Sequence, residues 1–411
     1  MNEYISGQNL NGLKKFNLNN CFKDPSFLRE KLALDFCQEH GLAAPRCAYS
    51  KVYINGTYWG LYTFVEETDN GNFLNQRFGN KQGNMFKGDP NGDLRWYGSL
   101  ATSYYPKYEL HTNETVNDWS DLVNFIDKIN NSGVNFYDSL EQVLNTNTFI
   151  NHWGIMNLFV NLDSYIGSGH NYFIYHDTLS NKFEWVTWDV NESCGTFTMG
   201  LTPTQIKNLS LFYTSTPSSN RPLVQKMLAN STYKNGLIYT VCNWVQYDFS
   251  NAALDPKIDS LANAIRADVY ADTKKFYTNT QFEDNLTMDL AIPNPGGGMD
   301  NILGIKPFIT ARRNSLIAEL FANGCYVGVN ESQKDEDQIL IYPNPTSDYI
   351  YIDIKSKEKE NTIHIYNAFG QVLSVIVSEN QIEKIDVSKF SAGIYIIKVN
   401  GRNYSKFQKV D

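Results

Sequence analysis

Asn161-Leu-Asp-Ser-Tyr-Ile-Gly-Ser-Gly-His-Asn171, followed after a turn by Trp185-Val-Thr-Trp-Asp189-Val-Asn191, is the stretch on which the fold of this chain turns. Tyr172 to Tyr175 reads as one strand and Phe183 to Trp188 alternates as a second, so the segment folds back as a β-hairpin. Asn171 stands at the start of the first strand, eight positions after Asp163, and Asp189 at the end of the second. Polar groups therefore converge at one mouth of the hairpin. A carboxylate beside an incoming hydroxyl accepts its proton, and Asn and Asp oxygens suit a hard cation that bridges phosphates. The order is that of phosphoryl transfer, with Asp163 as the hydroxyl-orienting base and Asn171 and Asp189 as Mg²⁺ ligands. Asp and Asn are also the residues that turns at strand ends favour, so spacing alone leaves both readings open.

Upstream, Phe149 to Val160 is apolar nearly all round and predicts a buried helix that runs directly into Asp163 and aims it. Trp119 to Ile129 and Phe136 to Leu144 carry amphipathic stripes, and further helices are expected over Pro222–Leu228, Tyr233–Tyr247, Lys257–Thr273 and Ile305–Phe321. Near the start, Asp24 is placed to cap a helix with Pro25 at its first position and Leu28, Leu32 and Phe36 on one face, ended by Gly41. Strands are expected at Leu13–Leu18, Ala48–Ile54 and Trp59–Glu66, the last two joined through the hairpin signal Asn55-Gly56. Residues 70 to 112 are polar, Gly-rich and Tyr-rich and read as a long insertion over the cleft. Tyr97, Tyr104, Tyr105 and Tyr108 in it offer either a platform for sugars or plain loop packing.

The wider sequence narrows the choice. Asp24-Pro-Ser-Phe-Leu-Arg-Glu-Lys-Leu-Ala-Leu-Asp35, Gly41-Leu-Ala-Ala-Pro45, Val52-Tyr-Ile-Asn-Gly-Thr-Tyr-Trp-Gly-Leu-Tyr-Thr-Phe-Val-Glu-Glu67, Gly83-Asn-Met-Phe-Lys87, the Asp163 to Asn171 loop and Trp188-Asp189 together resemble the CotH family. That family is named for a spore-coat protein and regarded as atypical, kinase-like enzymes, and the resemblance covers most of residues 10 to 325. It implies an α+β fold, an atypical two-lobed protein-kinase-like domain over residues 1–326, with ATP and Mg²⁺ (or Mn²⁺ or Ca²⁺) as cofactors. Asp163 would be the catalytic acid, and Asn171 and Asp189 the metal-binding positions. The segment around Val65 to Thr68, with Glu66 and Glu67, resembles a hinge against which adenine lies. Lys87 is the candidate phosphate contact, with Lys15 and Arg29 as competing cations. The implied reaction moves the ATP γ-phosphate to a protein Ser or Thr hydroxyl.

Departures from kinase signatures keep a second reading alive, a noncatalytic kinase-like surface scaffold or adhesin. The loop is not His-Arg-Asp, Asp189 is followed by Val190-Asn191 rather than Phe-Gly, and no glycine-rich nucleotide loop is present. Gly296-Gly-Gly298 lacks the Lys-Ser/Thr of a P-loop and reads as a turn.

At Val327 the texture changes. Residues 327–338 are polar and charge-rich and read as a linker, and residues 339–411 carry short alternating strands, the pattern of a small all-β sandwich. Tyr342-Pro-Asn-Pro345, Ile365-Tyr-Asn-Ala-Phe-Gly-Gln371 and Asp386-Val-Ser-Lys-Phe-Ser-Ala-Gly-Ile-Tyr395 resemble the C-terminal sorting domain of type IX secretion. That resemblance implies type IX secretion machinery as a partner and a secreted or outer-surface location in a Gram-negative bacterium. Such cargo needs an N-terminal export signal, and Met1-Asn-Glu-Tyr-Ile-Ser-Gly-Gln has neither a basic start nor an apolar core; further sequence is expected before it.

Composition sets outer limits. The 411 residues exceed one core, and no apolar run approaches the ~20 residues that cross a bilayer as a helix. A formal charge of −9 argues against nonspecific nucleic-acid binding. Arg312-Arg313 is expected to face solvent on its helix. The six cysteines lack zinc-site spacing, and the six histidines show no His-Glu-x-x-His pattern. The cysteines permit disulfides whose pairing the sequence leaves open. Cys194 reads as a small buried apolar group rather than a nucleophile served by His170.

Overall fold

A computed structural model describes residues 5–10, 13, 15–215, 217, 220–293, 299–325, 339–354, 359–367, 371–400 and 403–410. The proposed linker 327–338 and the Gly296–Gly298 turn lie outside the described residues. The chain divides into two compact units, Met1–Gly328 and Val329–Asp411.

The first unit opens with a three-stranded antiparallel sheet, β1 (Phe16–Asn19), β2 (Cys47–Ile54) and β3 (Thr57–Glu66), in the order β1-β3-β2. The β2–β3 hairpin closes through Asn55 and Gly56, both at positive φ, as that dipeptide favours. Helix α1 (Arg29–Glu39) lies between β1 and β2 in sequence and buries Leu32, Ala33 and Phe36. It starts four residues later than expected, because Asp24 turns inward instead of capping from Pro25. Its carboxylate accepts from the backbone N–H of Ser26 and Arg29 and pairs with the fully buried Arg29 guanidinium.

Helix α2 (Gly71–Phe78) follows, capped by the Asn70 side chain. Then come β4 (Met85–Gly88), β5 (Tyr108–Leu110), α3 (Ser120–Asn131), α4 (Phe136–Val143), α5 (Thr146–Leu158), β6 (Tyr172–Asp177) and β7 (Lys182–Thr187). The strands form a second antiparallel sheet, β5-β4-β6-β7. Residues 70 to 112 are therefore more than an insertion: they supply a helix and two strands, and β4 is an interior strand of this sheet. Four residues are too few to show alternation, which is why β4 escaped sequence reading. Tyr104 and Tyr108 are buried, with Tyr104 donating to the Gly98 carbonyl and Tyr108 accepting from the Leu94 N–H. Those two rings pack the loop and form no platform.

The remaining helices are α6 (Pro203–Lys207), α7 (Pro222–Ala229), α8 (Ser231–Tyr247), α9 (Asn251–Ala271), α10 (Asn279–Thr287) and, after the small hairpin of β8 (Leu290–Pro293) and β9 (Met299–Ile302), α11 (Ile305–Ala322). Of these, α8 packs on α5, as α1 and β7 do, and Phe149, Trp153, Ile155, Met156 and Leu158 of α5 are all 0% exposed. The expectation of an exposed Arg312 is corrected here. Its guanidinium is buried and donates to the Leu209 carbonyl and to both the carbonyl and the side-chain oxygen of Asn157 on α5. Sequence spacing cannot reveal this, because the acceptors lie more than a hundred residues away. Cys194 is buried as expected, its thiol pushed up to about 12 by loss of water.

The second unit is all β. Strands β10 (Ile339–Tyr342), β11 (Tyr349–Ile354) and β14 (Ile382–Asp386) form one sheet in the order β10-β11-β14. Strands β12 (Asn361–Asn367), β13 (Val372–Ser378), β15 (Gly393–Val399) and β16 (Asn403–Lys409) form the other, in the order β13-β12-β15-β16. Ile350, Ile352 and Ile354 alternate inward from β11 and meet Ile363, Ile365, Ile397 and Phe407 from the facing sheet in one core. The period-2 pattern read from the sequence thus folds as a sandwich.

Cys242 on α8 is bonded to Cys325 after α11, across 83 positions of sequence. Closing so long a loop restricts the unfolded chain, an effect typically of about 2–4 kcal/mol. Urea unfolding with and without reductant is expected to show the midpoint of the first unit falling on reduction, and a Cys242→Ser chain should behave like the reduced one. Coincident curves would mean the crosslink contributes nothing.

Candidate functional site

The hairpin mouth forms as its residues suggested. Helix α5 ends at Leu158, and Val160 adopts φ +43, an uncommon backbone state for a β-branched residue. The Phe159 and Val160 carbonyls accept from the N–H groups of Cys194 and Gly195, so the segment after β7 holds this turn. The loop then closes tightly. The Ser164 carbonyl accepts from Gly167 and Gly169, and a Cβ on Gly167 would sit 2.0 Å from the Leu162 carbonyl oxygen. Only glycine fits such an approach.

Within that loop Asp163 is fixed on both oxygens. Ser168 donates to Oδ1 at 2.9 Å and the Asn171 amide to Oδ2 at 2.8 Å. Spending its nitrogen on Asp163 leaves the Asn171 carbonyl oxygen for another partner. His170 Nδ1 stands 3.9 Å from Asp163 Oδ1, and its Nε2 stands 3.2 Å from Asp89, which also holds the Lys87 ammonium at 2.6 Å. Lys87, on β4, is thus joined to the Asp163 loop through Asp89 and His170. Asp163, Asn171 and Lys87 come together as the sequence suggested.

Asp189 follows β7 at φ +45 and is mostly buried. Its Oδ1 has no hydrogen-bond partner among the described residues. Burial, and after it the charge of Asp163, pushes its carboxyl up to about 6. A second buried carboxyl stands near it. Glu30 of α1 is pushed up to about 8 by burial and then by Asp189, and the Asn19 amide of β1 donates to it, at 2.7 Å. Beyond Asp189, Glu192 pairs with Lys23 at 2.8 Å. Glu30, Lys23, Glu192, Asp89 and His170 were all missed as site residues. Their signal lies in tertiary proximity, which no local motif carries.

The Glu66 and Glu67 pair is placed differently. Glu66 is held by Arg46 and approached by Arg77, while Glu67 accepts from Asn17. Both line a groove of about 800 Å³ together with Lys15, Asp69, Asn70 and His111, but Asp163, Asn171, Asp189 and Lys87 do not line it. The two sets are connected by charge. Lys15 meets Asp69, Asp69 meets His111, and His111 meets Glu109 at 3.2 Å. Glu109 in turn sits directly opposite Lys87 in the β4–β5 ladder and so shares its face of the sheet. Arg29 leaves the set of competing cations, since the core commits it to Asp24. Among the described residues no group of three or more His, Cys, Asp or Glu side chains is gathered as a metal cage.

The family model described as CotH kinase protein matches residues 1–290. The chain belongs to this CotH kinase family. A second model, a secretion system C-terminal sorting domain, matches residues 340–410, and it assigns the CotH chain to type IX export, to the cell surface or the medium of a Gram-negative bacterium. The inner spore coat protein H of Bacillus subtilis is 25% identical over 270 residues, covering 64% of this chain and 71% of that protein. The invasin CotH2 of Rhizopus delemar is 23% identical over 339 residues, 77% of this chain and 56% of the invasin. The beta-agarase A of Zobellia galactanivorans is 38% identical over 66 residues, 16% of this chain and 12% of that enzyme.

His111 gives the groove a pH dependence. Burial disfavours its charged ring, but hydrogen bonds to Asp69 and Glu109 outweigh that and raise its pKa. A raised histidine stabilises the fold fully below its unfolded value of about 6.5, and that contribution is lost as pH rises through the folded-state pKa. His111→Gln is expected to flatten this part of the stability profile between about pH 6 and 8, followed by thermal unfolding; an unchanged slope would assign the dependence to another group.

Proposed function

We propose that this exported CotH-family protein is a kinase that moves the γ-phosphate of ATP to a Ser or Thr hydroxyl of a protein at the cell surface. The observation that carries the reading is the pairing of an oriented acid with an orphaned one: Asp163 is fixed by Ser168 and Asn171, and Asp189 beside it keeps a buried oxygen without a partner. An unsatisfied buried carboxylate oxygen is costly, and a divalent cation is the ligand that such an oxygen suits. Asp189 and the Asn171 carbonyl oxygen fit that role, and the cation, when bound, neutralises charge across the β- and γ-phosphates.

The chain's own groups account for the rest. Asp163 accepts the proton of the acceptor hydroxyl as its oxygen bonds to the γ-phosphorus, and the bond to the β-phosphate oxygen breaks so that ADP leaves with that oxygen. Lys87 contributes positive charge on the Asp163 side. Glu66 and Glu67 line the groove that this reading gives to the adenine. The second reading, a scaffold without catalysis, draws on two observations: Glu30 faces an amide, Asn19, rather than a lysine, and Lys15 and Lys87 are engaged by carboxylates.

Label transfer from γ-labelled ATP by the full chain separates the two. Asp163→Asn is expected to lower incorporation roughly 10²–10⁴-fold, and Asp189→Ala to abolish it together with metal-dependent nucleotide binding. Equal incorporation by all three proteins would remove the assignment, and a folded wild-type chain that binds no nucleotide would favour the scaffold. Protons and the cation compete for Asp189. Mn²⁺ affinity measured by calorimetry is therefore expected to fall as pH drops below about 6, and a pH-independent affinity would place the ion elsewhere.

A further inference from the structure

We propose that Lys23 is a second phosphate-binding cation, stored on Glu192 until nucleotide enters. This rests on the phosphotransfer reading above and goes beyond it in naming the group that grips the polyphosphate from the Asp189 side.

Lys23 lies in the connection between β1 and α1, and its ammonium sits 2.8 and 3.0 Å from the two oxygens of Glu192. Glu192 comes three residues after Asp189, and its charge acts on Asp189. The pair therefore ties the small-sheet side of the first unit to the segment that carries Asp189, across 169 positions of sequence. The Lys23 side chain is 40% exposed whereas Glu192 is 17% exposed, so the ammonium stands at the open end of the pair.

The other cations near the site are placed differently; Arg221 is buried and spends its guanidinium on the Gly167 carbonyl of the Asp163 loop. Lys87 sits on the Asp163 side, held by Asp89. Lys15 is 64% exposed and belongs to the Asp69 and His111 end of the groove. Arg29 is sealed in the core with Asp24. Against this stand the carboxyls of Asp163, Asp189 and Glu192, an acidic wall that a polyphosphate approaches only where positive charge offsets it. Lys23 is the ammonium held by Glu192, three residues after Asp189, and it also lies 5.7 Å from the centre of the Phe197 ring. A lysine is a compact charge on a flexible stem with three rotatable donors, so it can swing from a carboxylate to a phosphate without matching a fork. A partly exposed ion pair holds it only weakly, while a charge-assisted bond to phosphate is stronger.

The experiment is calorimetric titration of the full chain with ATP in Mn²⁺. Lys23→Met is expected to weaken binding about tenfold or more, Lys23→Arg to stay close to wild type, and Glu192→Gln to tighten binding several-fold by freeing the ammonium. Wild-type protein that binds no ATP overturns both the nucleotide reading and this one. Wild-type binding with an unchanged Lys23→Met affinity overturns the role of Lys23 alone. Should Lys23→Met unfold, as read by circular dichroism, Glu192→Gln decides: unchanged or weaker binding overturns the storage role.

Discussion

The Arg312 guanidinium, stripped of water and clasping Asn157 and Leu209, is the fixed point from which the larger part of the first unit is organised. Burial alone would make such a charge prohibitive, and it lowers the Arg312 pKa to about 9. Carbonyl and amide oxygens compensate it, and in doing so they lock α11 to the last turn of α5. Packing against α1, β7 and α8, together with the tie to α11, resists rotation or sliding of α5 at its end. The left-handed Val160 and the glycine-tight loop then follow from where that helix stops, and Asp163, carried there by packing, is fixed by the bonds from Ser168 and Asn171. Strain at Val160, Asn171 and Asp189 marks the three segments that meet there.

How much of this was legible in the sequence depends on the range of each interaction. The β6–β7 hairpin, the all-round apolar α5 and the alternating strands of the tail are written in periods of a few residues, and they fold as they read. The convergence of Asp163, Asn171 and Asp189 was legible too, since Asn171 and Asp189 flank the β6–β7 hairpin and Asp163 lies in the loop that leads into it. Lys87 was placed through a resemblance, although the strand that carries it was hidden inside a stretch read as insertion. Glu30, Lys23 and Glu192 were illegible because each acquires its meaning from a residue on another element. Arg312 was misread for the same reason. Two adjacent arginines on a helix look like a solvated face until the acceptors on a distant helix are known.

The two units solve stability by different means. The first interleaves helices around a mixed core and leaves its polar groups in long connected tracks, from Lys15 through His111 to the Lys87 strand. The second relies on an almost pure alternation of isoleucines between two sheets. A sandwich of that kind needs little from its surroundings, which suits a sorting element. Fold and destination are therefore separable in this chain, and any activity has to be argued from the first unit alone.

The crosslink between Cys242 and Cys325 has a chemical counterpart in the four thiols that stay free. Six cysteines fully paired allow 15 arrangements. Cys21, Cys37, Cys47 and Cys194 are all pushed up by burial, which disfavours the thiolate at neutral pH. Since exchange proceeds through the thiolate, packing that disfavours the thiolate slows attack on the one bridge as the folded chain meets an oxidising exterior.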